Sequence, residues 1–178
     1  MGFEQRGFAF GNRRGFAPPL YIPELKVEEQ LQHDSYIGLS GQFEGKTWAG
    51  QHFWIPPNRK IATLAFLISK LGSPTGDVTF TIEEYPTDIP LLTKVWGDAS
   101  DLPAAYPPAE WQEVEFDIPQ FIDVIVRMQV KFSGGDAGNQ VAFAFWSGGS
   151  VKPDEEYVRD VEGVDPTSDA AYRYKYYE

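Results

Sequence analysis

Strict alternation of apolar and polar residues, repeated along the chain, constrains the fold more than any other feature. Val78, Phe80 and Ile82 fall on one side of a two-residue repeat, and Thr79, Thr81 and Glu83 fall on the other. Val124, Val126, Met128, Val130 and Phe132 repeat the pattern against Arg127, Gln129 and Lys131. A period of two sends successive side chains to opposite faces of a strand, so each segment reads as a strand with one wet face. Tyr172, Tyr174 and Tyr176 alternate with Arg173 and Lys175, which predicts that this segment ends inside a sheet rather than in a tail. Lys60 to Lys70 is apolar on both sides and reads as a central strand, covered by the body or by a neighbour's arm. A helix is disfavoured there by β-branched residues near its start and by Gly72-Ser73-Pro74-Thr75-Gly76, which cuts it short.

Composition supports the same class. Aromatic residues make up 15% of the chain, with 17 Gly and 14 Pro to turn it between strands. At 178 residues the chain suits one well-buried core, not two. Longer loops are expected at 86–90, 97–110 and 147–156, and a short helical turn or a cover strand at 24–34. The absence of cysteine removes disulfides and thiolate chemistry. No apolar run reaches the roughly 20 residues needed to cross a bilayer, and none of signal-peptide length opens the sequence, so no membrane role is expected.

Charge divides the chain in two. Residues 1–20 hold Arg6, Arg13 and Arg14 against Glu4 alone, while the whole chain has a net charge of −11. Phe3, Phe8, Phe10 and Phe16 also sit in this stretch, too many for a solvated tail and too irregularly spaced for a helix. Pro18, Pro19 and Pro23 close it as a stiff connector. Residues 1–23 are therefore expected to form an extended N-terminal arm with a Pro-rich connector. The arm should lie in a partner's groove, with Arg6, Phe8, Phe10, Arg13, Arg14 and Phe16 making the contact. Each phenylalanine would add roughly 1.5 to 3 kcal/mol if fully covered, and the arginines would pair with acidic partner surface and set register. Nucleic acid is not the expected partner, because phosphate binding is driven by Lys and Arg and the body is acidic.

The run Leu67-Ile-Ser-Lys-Leu-Gly-Ser-Pro-Thr-Gly-Asp-Val-Thr-Phe-Thr-Ile82 is followed by a proline-rich loop, Trp111-Gln-Glu-Val-Glu-Phe116, the Gly134-Gly-Asp-Ala-Gly-Asn139 turn and a final strand after Asp169. Together, over residues 36–178, these resemble the antiparallel jelly-roll β-sandwich found in phage decoration and fibre proteins and in extracellular multidomain proteins, and similar to carbohydrate-binding modules. The resemblance implies an all-β fold, and the sandwich domain is expected to span residues 24–178. It leaves function open, because this sandwich hosts unrelated tasks.

Few residues suggest chemistry. His33, Asp34 and Ser35 are adjacent in sequence and point apart, which rules out base–nucleophile geometry. His52 alternates with Phe53 and Ile55 and is expected to face solvent or a neighbour. Glu113, Glu115 and Asp117 share a strand face that reads as an ordinary wet side. The acidic stretches Asp154-Glu155-Glu156 and 160–169 lack calcium-loop spacing. No catalytic group, cofactor or metal is therefore expected. Trp54 and Trp96 lie near strand ends, and Trp146 falls out of phase with Phe143 and Phe145, in phase with Ala142 and Ala144. A tryptophan on a small-residue platform suits either a sugar ring or a neighbouring subunit.

The expectation is a non-enzymatic virion structural protein, a capsid decoration, head-fibre or other surface component of a phage, assembled in the host cytoplasm. The arm would anchor it to a capsid protein or neighbouring subunit in a homo-oligomer, a trimer being one such arrangement. The alternative is a carbohydrate-binding module that uses Trp54, Trp96 or Trp146 to hold a glycan.

Overall fold

The computed structural model describes residues 23–178, apart from 106, 109, 161 and 162. Its strands are β1 (Lys26–Gln30), β2 (Ser35–Leu39), β3 (Trp48–Trp54), β4 (Lys60–Leu71), β5 (Asp77–Glu84), β6 (Ile89–Asp98), β7 (Trp111–Phe121), β8 (Ile125–Lys131), β9 (Gln140–Trp146), β10 (Glu156–Arg159), β11 (Gly163–Asp165), β12 (Asp169–Ala170) and β13 (Tyr172–Tyr177). A single 3-10 turn, Ala99–Asp101, follows β6. One sheet runs β1-β13-β4-β9-β12, with β2 on β9 and β7 on β4; the other runs β11-β10-β3-β8-β5-β6. All pairings are antiparallel, and the arrangement is a β-sandwich consistent with a jelly roll.

Aromatic rings join the two sheets. Phe66 of β4 meets Phe80 of β5 edge-on at 5.5 Å, Phe53 of β3 stacks on Tyr172 and Tyr174 of β13 at 5.3 and 5.9 Å, and Phe145 of β9 stacks on Tyr157 of β10 at 4.7 Å. Offset and edge-on pairs of this kind add about 0.5–1.5 kcal/mol each beyond the area they bury. The tyrosine face of β13 is buried, while Arg173 and Lys175 on the opposite face pair with Glu29 and Glu113, both at 2.7 Å. Of the two alternatives for residues 24–34, the strand forms: β1 pairs with β13 from Lys26 opposite Tyr176 to Gln30 opposite Tyr172.

The doubly apolar segment Lys60 to Lys70 lies within β4, where Leu64, Phe66 and Ile68 enter the main core and Leu67 enters a small cluster with Ala144 and Ala171. That cluster marks a fork. Ala171 donates its N–H to the Ala144 carbonyl, and its own carbonyl accepts from Leu67, so three strands meet at one residue. Gly72 and Gly76, which bound the turn into β5, have φ of 72° and 112°, a region other residues rarely enter. The predicted loops are shorter than expected at two ends, since β6 already begins at Ile89 and extends to Asp98.

The expectation of one wet face on β5 and β8 fails. Thr81, Glu83 and Gln129 are buried although they point away from the sandwich interior. Register places Glu83, Arg127 and His52 in one row, Thr81, Gln129 and Gly50 in the next, and Thr79, Lys131 and Trp48 in the third. Arg127 reaches from the first row to lie 4.5 Å over the Trp48 ring, crossing the middle row, and its Nη2 also meets Glu83 Oε2 at 2.8 Å. Lys131 bonds the other oxygen of Glu83. Long charged side chains thus roof the polar row, as their aliphatic stems allow. Gly50 fits this crowding, because a Cβ there would collide with the Met128 carbonyl and the Gln129 side chain.

Candidate functional site

At the end of the sandwich where β3 turns into β4, a cleft of about 280 Å3 is lined by His52, Phe53, Trp54, Ile125, Pro153, Asp154 and Glu156. Its floor follows from strand pairing. Trp54 lies opposite Ile125, and both leave the outer face of the six-stranded sheet, the next pair on that face after His52 and Arg127. Trp54 is 52% exposed and Ile125 is also exposed, so an apolar surface faces solvent. His52, expected to face solvent or a neighbour, is half-buried within its own chain. The Tyr85 ring packs 4.1 Å from it, and its Nδ1 lies 3.2 Å from Glu156 Oε2, because β10 pairs Glu156 directly opposite His52.

The acidic wall comes from the segment before β10, where successive residues point in different directions. Asp154 is exposed and joins no ion pair among the described residues. Glu155 turns inward: Tyr172 donates its hydroxyl to both carboxylate oxygens, at 2.9 and 2.7 Å. Burial pushes Glu155 above its ordinary pKa, against the hydrogen bond from Tyr172 and the charge of Lys152. Lys152 reaches back to Glu28 at 2.5 Å, and Arg59 meets the same carboxylate at 3.3 Å and also bonds the Tyr174 hydroxyl. Behind them Gln51, fully buried, donates to Asp169 Oδ1 at 2.9 Å and accepts from the Ala170 N–H at 2.7 Å. Buried polar groups of this kind are tolerated because each finds a partner. The network fixes the Pro153–Asp154 wall to β1, the first strand of the body.

The three tryptophans singled out from sequence do not form one platform. Trp54 is on β3, and Trp96 is on β6, with β8 and β5 between them. Trp96 is half-buried and packs against the main core. Trp146 is on the other sheet and also half-buried, and a Cβ at Gly148 would collide with its indole. Ala142 and Ala144, its expected platform, are buried. Ile125, Tyr85 and Pro153 were not singled out, since nothing local in the sequence ties them to Trp54. The acidic signal at 154–156 was visible, but not its division between cleft and interior.

Arg6, Phe8, Phe10, Arg13, Arg14 and Phe16 lie outside the described residues. His33 Nδ1 lies 3.1 Å from the Leu31 carbonyl, whereas Asp34 accepts from the Ser147 N–H at 2.9 Å. Those adjacent residues therefore serve separate structural contacts. Glu113 pairs with Lys175, and Asp117 with Lys94 at 2.5 Å. Among the described residues no group of three or more His, Asp or Glu is placed to hold a metal ion, and no helix is long and apolar enough to cross a membrane. Neither protein-family models nor curated proteins give a match to this sequence.

Proposed function

We propose that this chain is a non-enzymatic structural component of a virion, a surface or decoration protein of a phage particle, whose sandwich is displayed and whose residues 1–23 anchor it. The observation that carries the reading is where the body begins. β1 enters at Lys26, level with Tyr176 on β13 and with Ile61 on β4, at the same end as Trp54. That end also exposes Phe121 at 69% and Ile118 at 72% on the edge strand β7. A phenylalanine-rich, arginine-bearing segment thus precedes the body at an end that exposes apolar side chains, which suits anchoring against protein. The test is co-sedimentation of the full chain with intact particles. Replacing Phe8, Phe10 and Phe16 by Ser should abolish co-sedimentation while leaving the melting temperature unchanged. A variant that stays on the particle overturns the reading.

One observation favours the alternative, a glycan-binding module. Trp54 presents an open indole beside Asp154 and Glu156, the combination of flat ring and hydrogen-bond acceptors that a sugar ring requires. Glycan-array binding lost in Trp54→Ala would support it.

A further inference from the structure

We infer that the Trp54 cleft is the receptor for the N-terminal arm of a second copy of this chain, so that copies are linked by arm exchange. The inference rests on the anchoring reading and names the partner. Three observations lead to it.

The cleft matches the arm in chemistry. Its open surface is one indole and one isoleucine, Trp54 and Ile125, flanked by the carboxylates of Asp154 and Glu156. The arm offers phenylalanines interleaved with arginines: Arg6 before Phe8 and Phe10, and Arg13 and Arg14 before Phe16. A Phe8 or Phe16 ring seated on Trp54 brings the arginine two positions earlier, Arg6 or Arg14, to the acidic wall. Planar guanidinium groups pair well with carboxylates and stack on aromatic faces. At about 280 Å3 the cleft has room for one large side chain.

The cleft and the root of the arm are mechanically joined. Glu28 of β1 holds Lys152, the residue before the Pro153–Asp154 wall, and Arg59 ties the same carboxylate to the turn after Trp54. An arm received in the cleft therefore bears on a wall that the receiving copy's own β1 braces.

The connector favours a neighbour over the chain's own cleft. Residues 16–23 read Phe-Ala-Pro-Pro-Leu-Tyr-Ile-Pro, three prolines in eight positions and no glycine. Such a segment acts as a semi-rigid spacer that resists reversal. β1 begins at the cleft end, level with Tyr176, and a proline-rich sequence just before it favours reach to another molecule over return to the chain's own cleft. Exchange of identical elements between copies is a low-cost route to closed oligomers.

Two measurements test this on the full-length chain. In sedimentation velocity, wild type should form a concentration-dependent oligomer. Trp54→Ala, Ile125→Asp and the Phe8, Phe10, Phe16→Ser triple variant should each be monomeric, with melting temperatures near wild type because all the altered positions in the body are exposed. In fluorescence anisotropy, a labelled peptide of residues 1–22 should bind the triple variant, whose own arm is silenced. Binding should weaken at least tenfold when Trp54→Ala is added and severalfold when Asp154→Asn and Glu156→Gln are added, with the carboxylate contribution vanishing at high salt. Peptide binding unaffected by Trp54→Ala and Ile125→Asp overturns the cleft assignment. A wild type that is monomeric at all concentrations overturns arm exchange. If the triple variant leaves the particle while Trp54→Ala stays on it as an oligomer, anchoring stands and the cleft assignment falls. If a glycan competes at Trp54 and the peptide does not bind, the cleft belongs to sugar and the inference falls.

Discussion

Tyr172 is fully enclosed, and its hydroxyl is held between Glu155 and Lys152, whose Nζ lies 3.2 Å away. Burial drives the Tyr172 pKa far above its ordinary value, so the hydroxyl is always a donor. Glu155 has a raised folded-state pKa, so its contribution to stability is full below its unfolded value near 4.5 and is lost as pH rises through the folded value. Tyr172→Phe removes the donor that compensates the buried carboxylate. The expected cost is about 1–3 kcal/mol at pH 7, shrinking at pH 4 where Glu155 is protonated. Urea denaturation at both pH values checks this, and an equal loss at both would mean that the hydroxyl acts independently of Glu155. A second residue-scale contrast lies between two glycines with positive φ. At Gly45 a Cβ meets open space, so Gly45→Ala should cost only the backbone strain, about 1–2 kcal/mol. At Gly72 a Cβ would also strike the Gly138 carbonyl, so Gly72→Ala should lower the urea midpoint further than Gly45→Ala.

Among the elements, β13 is placed where its loss is felt on both sides. It lies between β1 and β4, so it is an interior strand rather than one that merely covers an edge. Tyr172 and Tyr174 stack on each other and on Phe53 of the facing sheet, and Tyr176 packs tilted against Tyr174. Arg59 lies 4.3 Å over the Tyr176 ring and ties this stack to the turn after β3. Tyr174→Ala should cost roughly 3–5 kcal/mol, the usual range for a large aromatic truncated in a core. Removal of residues 170–178 takes three such rings and the partner of β1, a loss comparable with the roughly 5–15 kcal/mol that holds a whole domain together. The truncated chain should show no cooperative thermal transition and should be cleaved rapidly by protease. A truncated chain that melts like the full one would mean that β4 and β1 need no strand between them.

For the whole molecule, acid is the condition that tests the surface and half-buried charges together. Burial opposes ionisation of Glu83, but hydrogen bonds and charge from Lys131 and Arg127 outweigh it and hold its pKa below 4.5. Glu28 behaves likewise, burial being outweighed by Lys152 and Arg59. A carboxylate with a depressed folded pKa contributes stability above its unfolded value and loses it as pH falls through the folded one. Stability should therefore decline as pH drops below about 4.5, with Glu155 opposing the trend because its shift has the other sign. Replacing Glu83 by Gln should flatten the acid limb of a denaturation profile and destabilise the protein at pH 7, since Arg127 and Lys131 then lose their shared partner. An acid limb unchanged by Glu83→Gln would remove the charged roof of the six-stranded sheet from the account.

The fold class was legible from sequence because the signal is local. A period of two at Val78–Ile82 and at Tyr172–Tyr176 states which face each side chain takes, and the doubly apolar run of β4 states that both of its faces are covered. Glycine at 72 and 76 marked the turn, since few other residues adopt that backbone. What the tertiary structure alone decided is which segments meet. Nothing near Lys26 points to Tyr176, and nothing near Ala171 shows that it joins Leu67 and Ala144 at a fork. The buried polar row on the outer face of β5 and β8 depends on Arg127 crossing Gly50 to reach Trp48, an encounter of two strands far apart in the chain. The cleft has the same character: Trp54, Ile125 and Asp154 come from three separated segments, and Trp54 was separable from Trp96 and Trp146 only once strand order placed them apart. Periodicity reports a side chain's direction relative to its own backbone, whereas a site is made of neighbours, and antiparallel pairing between distant strands sets the neighbours.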